Sequence, residues 1–301
     1  MDKNSEIEKR FIFHGNAVAF AAHVRRPEDF FIPAVASSCL PVTGGLAEAA
    51  SGPQRFKEIS FESASTRAHG DYADVRRAVD FTHGNFGENL LPTNTFVESK
   101  LKGLKIEIPQ PAAGTAAPAV RRFSVDNLHV RLESSSDRRG PIAFRSLEAT
   151  IGGVEVDGHR LNVITAAHVF GQHDTYPKLS KAYEEDADFR QQYGKCFYPT
   201  GQEKTGLSGL LSKHVIPNGH GTVLGTIVTG LEWEKEAAAD TVIAGNRLTI
   251  EGIGTIFFGE IIIEAGARRV TLLRCQLGSP DGADMSACDV QSNGQDWPPA
   301  F

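Results

Sequence analysis

The sequence has few cysteines, and none of them forms a Cys-x-x-Cys pair. Only 4 of its 301 residues are cysteine. An even number permits two disulfides, but a chain of this length does not need disulfides to fold. We therefore expect buried or idle thiols at the four positions, which are Cys39, Cys196, Cys275 and Cys288.

Long apolar runs are also missing. The most apolar window, 253–263, has 11 residues and contains Glu260, whereas a membrane-spanning helix needs roughly 20. The first six residues, 1–6, are polar and acidic, which is unlike a secretory signal. We expect no membrane span and a cytoplasmic location, with an exported protein in its mature form as the alternative.

Basic residues form no block. The chain has 31 Lys and Arg against 37 Asp and Glu, a net charge of −6. Its arginine pairs, Arg268-Arg269 among them, are scattered and predict solvated ends of strands or helices. A Gly-x-x-x-x-Gly-Lys-Ser/Thr phosphate loop is missing as well. The sequence therefore predicts no nucleic-acid partner and no nucleotide site, and it leaves the cofactor unknown.

What the sequence does contain is a series of β-strand patterns with period 2. Asp157-Gly158, Gly245-Asn246 and Ala265-Gly266 each separate two such runs, as hairpin turns do. Hairpins imply antiparallel pairing, because parallel strands need long crossovers. We predict an all-β fold that is predominantly antiparallel. A curled sheet, a barrel and a sandwich are all compatible with these patterns.

One amphipathic helix is predicted near residues 175–193. Asp174 or Thr175 can cap it, and Pro177 falls in its first turn. Its apolar face includes Leu179. The helix interrupts two strand-rich halves between Gly171 and Gly194, which favours a lid over a cavity; a helix packed firmly on the sheet is the alternative.

The Pro/Ala/Gly-rich segment 109–119 has no periodicity and is either a surface loop or a boundary. We expect one β-rich domain over 1–301, with a division into 1–108 and 120–301 as the alternative. A shorter helix is expected over 71–81.

Three predicted strands end in the same pattern, apolar-x-Gly-apolar-x-apolar. The pattern occurs at 101–106, 151–156 and 228–233, with glycine at Gly103, Gly153 and Gly230. A glycine inside a strand marks a bulge or a bend. The repeat indicates equivalent kinks in a curling sheet, and chance is the alternative.

Histidines supply the candidates for chemistry. Ile164-Thr165-Ala166-Ala167-His168 is similar to the histidine box of trypsin-like serine proteases. However, Ser208 follows too soon and Ser279 precedes a proline, which lacks an oxyanion N–H. No protease is therefore predicted.

A second reading of the histidines is catalytic or metal binding. The candidate catalytic residues are His168, His173, Asp174 and His214, and the candidate metal ligands are His168, His173 and His220. His168 and His173 are five apart, so they share no face of a regular helix or strand. We favour a structural role for both.

The chain has 18 Phe against 5 Tyr and 2 Trp. These phenylalanines fill a core or line an apolar cavity. The first functional hypothesis is a module that binds an apolar or aromatic small molecule. The alternatives are an enzyme on a β-barrel scaffold, either a metal-assisted or a cofactor-independent hydrolase, lyase or cyclase, and a structural or assembly protein that forms a homo-oligomer.

Overall fold

The computed structural model describes residues 10–24, 29–72, 92–110, 119–136, 142–197, 223–264, 266–277 and 283–297. Most of these residues lie in antiparallel β-strands, so the predicted all-β class is confirmed. The strands are β1 Arg10–Val24, β2 Phe30–Cys39, β3 Gly45–Ser51, β4 Gln54–Phe56, β5 Ile59–Phe61, β6 Ser63–Tyr72, β7 Thr93–Pro109, β8 Val120–Ser136, β9 Ala143–Val156, β10 His159–Thr165, β11 Val223–Thr226, β12 Val228–Trp233, β13 Thr241–Ala244, β14 Arg247–Ile250, β15 Gly254–Ile263, β16 Ala267–Leu277 and β17 Ala283–Trp297.

Three short helices form the only described departure from β-structure. They are α1 Ala167–Gln172, α2 Tyr176–Glu185 and α3 Ala187–Tyr193, and a 3-10 turn follows at Gly194–Cys196. This confirms the predicted helical insertion, although it consists of three short helices instead of one. None of the described helices has both the length and the apolar composition to cross a membrane.

The strands form two sheets. Sheet 1 has the order β13-β14-β15-β16-β17-β1-β2, and β11 pairs with β15 beyond β14. Sheet 2 has the order β12-β10-β9-β8-β7-β5-β4, and β6 and β3 extend it beside β5 and β4. Neither sheet closes on itself among the described strands, so of the three predicted architectures the open, packed sheets match the sandwich.

The core lies between the two sheets. Phe20 of sheet 1 stacks on Phe61 of sheet 2 with ring centroids 5.5 Å apart. Near the middle the sheets approach closely. The Ser99 hydroxyl of sheet 2 donates to the Val18 carbonyl of sheet 1 across the core at 3.2 Å. Small side chains such as Ala17 and Ala287 fill this region. The large aromatic residues therefore pack on neighbours and leave the sandwich interior filled.

The segment 109–119 lies between two paired strands. β7 and β8 are in register from Thr93 opposite Ser136 to Pro109 opposite Val120. The Gln110 N–H still donates to the Ala119 carbonyl at 2.8 Å, and 111–118 lie outside the described residues. Sheet 1 also combines strands from both sides of this segment. The division into two domains stays a prediction.

The predicted hairpin at Asp157-Gly158 is confirmed. Val156 pairs with His159, and Asp157 has φ +50°, the left-handed value that a type I′ turn requires. The Asp157 carboxylate also accepts the Arg122 N–H at 2.8 Å. β13 and β14 likewise form an antiparallel hairpin at Gly245-Asn246. β15 and β16 pair antiparallel up to Ile263 opposite Arg268, and Ala265 of the third predicted turn lies outside the described residues. The helix expected over 71–81 begins within β6, which extends to Tyr72, and its remainder lies outside the described residues.

Two of the three repeated glycines are equivalent. Gly103 and Gly153 have φ +64° and +67°, and both lie opposite Asp126 on the strands that flank it. A Cβ atom at Gly153 would lie 2.1 Å from the Asp126 carboxylate, and one at Gly103 would lie 2.5 Å from Glu62. Gly230 has no such φ among the described residues. Of the three repeated glycines, the two with positive φ therefore lie on β7 and β9.

The outer face of sheet 2 carries a row of alternating charges. Glu48, Arg67, Glu98, Arg131 and Glu148 lie opposite one another on β3, β6, β7, β8 and β9. Opposite charges in directly opposed positions stabilise adjacent strands.

The central carboxylate of this row has two further partners. Glu98 contacts Lys100 at 2.9 Å and His129 at 2.8 Å. Burial by itself raises the pKa of Glu98, but the hydrogen bonds from Lys100 and His129 outweigh it, so the net pKa is lowered. Glu98 is therefore ionised in the folded state to a lower pH than in the unfolded chain.

Candidate functional site

The helical insertion lies at the end of the sandwich where β9 and β16 begin, and a buried arginine holds it there. Arg268 is 1% exposed and faces inward from β16. Its guanidinium donates to the carbonyls of Phe170 and His173, the latter at 2.6 Å. It also lies over the Phe144 ring, 4.6 Å from the centroid. These carbonyls are at the end of α1, so Arg268 satisfies acceptors that a helix C-terminus leaves open.

The expectation that Arg268-Arg269 is a solvated pair is wrong for Arg268. Burial lowers the pKa of Arg268 to about 10, and the negative charge of Asp174 opposes this effect. The side chain therefore remains charged at neutral pH. Arg269, on the other face of β16, does lie at the surface and pairs with Asp289. Alternation along β16 was a usable signal, because position 268 shares its face with Val270 and Leu272.

α2 packs on the core instead of lying loosely over it. Tyr176 and Leu179 are buried, with Leu179 0% exposed. Thr175 caps α2 as predicted by accepting the Lys178 N–H at 3.4 Å. The lid that the sequence favoured is not what this geometry indicates, since a moving element packs less tightly.

The single predicted helix is broken at Asp186. This residue has an extended backbone, and its carboxylate accepts the Phe189 N–H at 2.9 Å, which starts α3. Aspartate competes for backbone donors in this way, and so favours a cap over a helix interior. The break turns α3 away from α2.

His168 and His173 are near the same helices but are not neighbours. His168 lies on α1, which begins at Ala167 after β10 has ended at Thr165. Its ring is 6.2 Å from that of Tyr193, and the His173 ring is 4.8 Å from that of Phe189. Tyr193 and Phe189 are 5.5 Å apart, so two aromatic rings separate the histidines.

The positions of these rings therefore add no support to the metal-binding or the catalytic hypothesis. No group of three His, Cys, Asp or Glu side chains with metal-binding geometry occurs within the described part of the chain. Asp174 contacts Lys178 at 2.7 Å. His214 and His220 lie outside the described residues, so both stay predictions.

The cysteines match the expectation of thiols, and three are buried. Burial raises the pKa of Cys196 to about 11 and that of Cys288 to about 12, and it raises the pKa of Cys275 as well. These thiols are protonated and unreactive at neutral pH. Cys39 is exposed at the end of β2.

A shallow cleft of about 550 Å³ lies where α2 meets α3. Its volume is within the range of small-molecule sites. It is lined by His173, Lys178, Lys181, Ala182, Glu185, Asp186, Ala187 and Asp188. The lining therefore contains three carboxylates, two ammonium groups and an imidazole ring, and this ring contacts Phe189 edge-to-face with ring centroids 4.8 Å apart.

Some charged side chains of the cleft form ion pairs and others do not, among the described residues. Lys178 pairs with Asp174 at 2.7 Å, and Lys181 approaches Glu185 at 3.8 Å. Within the described residues, Asp188 has no ion pair, and it extends from the exposed first turn of α3. The uncompensated charge of the cleft is therefore negative.

The imidazole of His173, which lines the cleft, is neutral at pH 7. Burial lowers its pKa, and the positive charge of Arg268 lowers it further, whereas Asp186 and Asp174 oppose this. A neutral imidazole presents an uncharged aromatic surface to the cleft at pH 7.

A family model described as a domain of unknown function (DUF8256) matches residues 11–107, about a third of the chain. No curated protein and no solved structure matches the chain significantly. The matched range begins in β1 and ends in β7. It includes the edge strand β3 and the charge row up to Glu98, and it leaves out the helical insertion.

Proposed function

We propose that the protein is a binding module that takes a small aromatic molecule carrying a positive charge in the cleft between α2 and α3. The proposal is supported above all by one observation, the neutral His173 ring set among three carboxylates. Sequence composition suggested an apolar or aromatic ligand inside a barrel. The filled sandwich core favours the surface cleft instead.

Each part of the cleft has a matching part in such a ligand. An aromatic ring can stack on the imidazole of His173, beside the methyl groups of Ala182 and Ala187. An ammonium group can then reach the carboxylates of Glu185 and Asp188 at the rim. A neutral imidazole does not repel this cation, whereas a protonated one would.

The probe for this proposal is 2-phenylethylamine, observed by saturation-transfer NMR and titrated by calorimetry at pH 7.5. We expect binding with a Kd on the order of 0.1–1 mM, as for a small ligand in an open cleft. The matched probes are 3-phenylpropionate, which reverses the charge, and 2-cyclohexylethylamine, which removes the π-face. Both should bind at least about fivefold more weakly.

A pair of variants separates the cleft from the rest of α3. Ala187→Arg places a bulky cation in the cleft and should weaken binding of 2-phenylethylamine more than about tenfold, because like charges in a small space repel. Gln191→Arg adds the same charge to an exposed position of the same helix outside the lining. It should change Kd less than about twofold. Equal effects of the two variants, or no binding at millimolar probe, would overturn the proposal.

A further inference from the structure

We infer that two copies of this chain associate by antiparallel pairing of β3 with β3, which joins their second sheets into one. This inference is independent of the proposed ligand site, since it concerns a different set of residues, which lie in the part matched by the family model. It rests on β3 being a sheet edge that no other strand of the described residues covers.

The unpaired side of β3 extends along the whole strand. All its residues pair with β6, from Gly45 opposite Gly70 to Ser51 opposite Ala64, and β3 pairs with no second strand among the described residues. Its inward residues Ala47 and Ala49 are only half-buried, whereas their partners on β6 are buried. Backbone donors and acceptors of an extended strand are satisfied in full only by another extended strand.

The other described edges carry features that prevent such pairing. β2 contains Pro33 and a shift in register, and Ala36 within it has φ +49°. β12 also pairs with a shift in register. The remaining edges are short: β4 has three residues and β11 and β13 have four each. Prolines, bulges and short strands are the usual protection of an edge.

β3 has none of these features. It is seven residues long and pairs in continuous register, and its sequence is GLAEAAS, without proline or lysine. Its one charge, Glu48, is paired with Arg67 at 2.8 Å. Two apolar side chains are exposed here, Leu46 on the strand itself at 50% and Val42 just before it at 59%. A long, flat edge of this kind associates with another strand unless it is covered.

The side chains of β3 fit a second copy of the same strand. A pairing centred on Ala49 opposes residues 47–51 of the two copies. Glu48 lies opposite Ala50 of the other copy and Ala47 lies opposite Ser51, so every pair contains at least one small side chain. A pairing centred on Glu48 would oppose two carboxylates, and one centred on Ala47 would oppose Leu46 and Glu48. The Ala49 register avoids both conflicts, and it gives the closed two-fold interface that is commonest in homodimers.

Sedimentation velocity between about 1 and 200 µM tests the association, which we expect to be a reversible dimer in the micromolar range. Ala49→Lys places two ammonium groups opposite each other at the two-fold axis. It should raise Kd at least about 100-fold, because like charges juxtaposed at an interface cost several kcal/mol. Ala34→Lys makes the same change at an exposed position of the protected edge β2 and should leave Kd within about twofold.

A disulfide test fixes the register and does not depend on the tolerance for lysine. In a Cys39→Ser background, Ala49→Cys should crosslink two copies on mild oxidation, because directly opposed residues of antiparallel strands are within disulfide reach. Leu46→Cys should not, since its two copies would lie roughly 20 Å apart along the strands.

A chain that stays monomeric over the whole concentration range would overturn the inference. So would a dimer that Ala49→Lys leaves intact, or a dimer in which Leu46→Cys crosslinks as well as Ala49→Cys. Loss of the dimer in Ala49→Lys alone, with the Ala49→Cys crosslink, would establish it.

Discussion

Replacing Arg268 by methionine is the sharpest test of how the helical insertion is held. The change removes two hydrogen bonds to the carbonyls of Phe170 and His173 and leaves a side chain that still packs on Phe144. Each hydrogen bond from a charged donor contributes about 1.5–3 kcal/mol. Against this, the variant no longer has to bury a guanidinium, which costs several kcal/mol before its partners are counted.

The two contributions do not cancel, because the carbonyls at the end of α1 stay buried without their donor. An unsatisfied buried acceptor costs about 1–3 kcal/mol. We therefore expect Arg268→Met to lower the free energy of unfolding by roughly 2–4 kcal/mol. Arg268→Lys keeps the charge but loses the planar fork that reaches two acceptors, so it should be destabilised by a comparable amount.

Urea unfolding at pH 7, followed by circular dichroism, measures the total loss. Limited proteolysis of the native protein shows whether the helices open first, and we expect earlier cleavage within residues 166–197 in Arg268→Met. Arg269→Met is the matched control on the outer face of β16. An Arg268→Met variant within about 0.5 kcal/mol of the parent, or more stable than it, would refute the reasoning.

Three further outcomes are expected. Leu179→Ala should cost roughly 2–5 kcal/mol in urea unfolding, and a loss under about 1 kcal/mol would indicate a loosely held helix. Because the pKa of Glu98 is lowered in the folded state, its contribution to stability is present above its ordinary pKa of 4.5 and is lost as pH falls below it. Glu98→Gln should therefore reduce the loss of unfolding free energy between neutral and acidic pH, and an unchanged pH dependence would contradict this reasoning. Gly153→Ala should destabilise by more than about 1 kcal/mol since φ is positive and Asp126 lies over it. Gly152→Ala, whose added Cβ would make only ordinary van der Waals contacts and whose φ is ordinary, should change the melting temperature little.

Sequence patterns predicted the fold where the physical cause is local. The turn at Asp157-Gly158 needs only two residues that tolerate positive φ, and the cap at Thr175 needs only one hydroxyl. Strand alternation similarly depends on which side of a single strand is buried. These features were therefore visible without any knowledge of neighbouring strands.

Sequence reasoning failed where the cause lies far away along the chain. Arg268 is buried because its hydrogen-bond acceptors are at residues 170 and 173, and no local pattern shows that a helix end lies there. The cleft beside His173 likewise depends on the break at Asp186, which turns α3 away from α2. The contrast between β3 and the other edges required the strand order of both sheets.

The glycine row across sheet 2 also bears on how its long strands find their alignment. β7 and β8 each have 17 residues, and strands of such length with a repeating apolar alternation can pair two residues out of step while keeping the same face inward. Gly153 on β9 leaves room for the Asp126 carboxylate, whereas Gly103 on β7 leaves room for the Glu62 side chain. A slipped pairing of β8 with β9 would place the Asp126 carboxylate against a side chain, so Asp126 and Gly153 select one alignment of these two strands out of several that hydrophobic burial alone would accept.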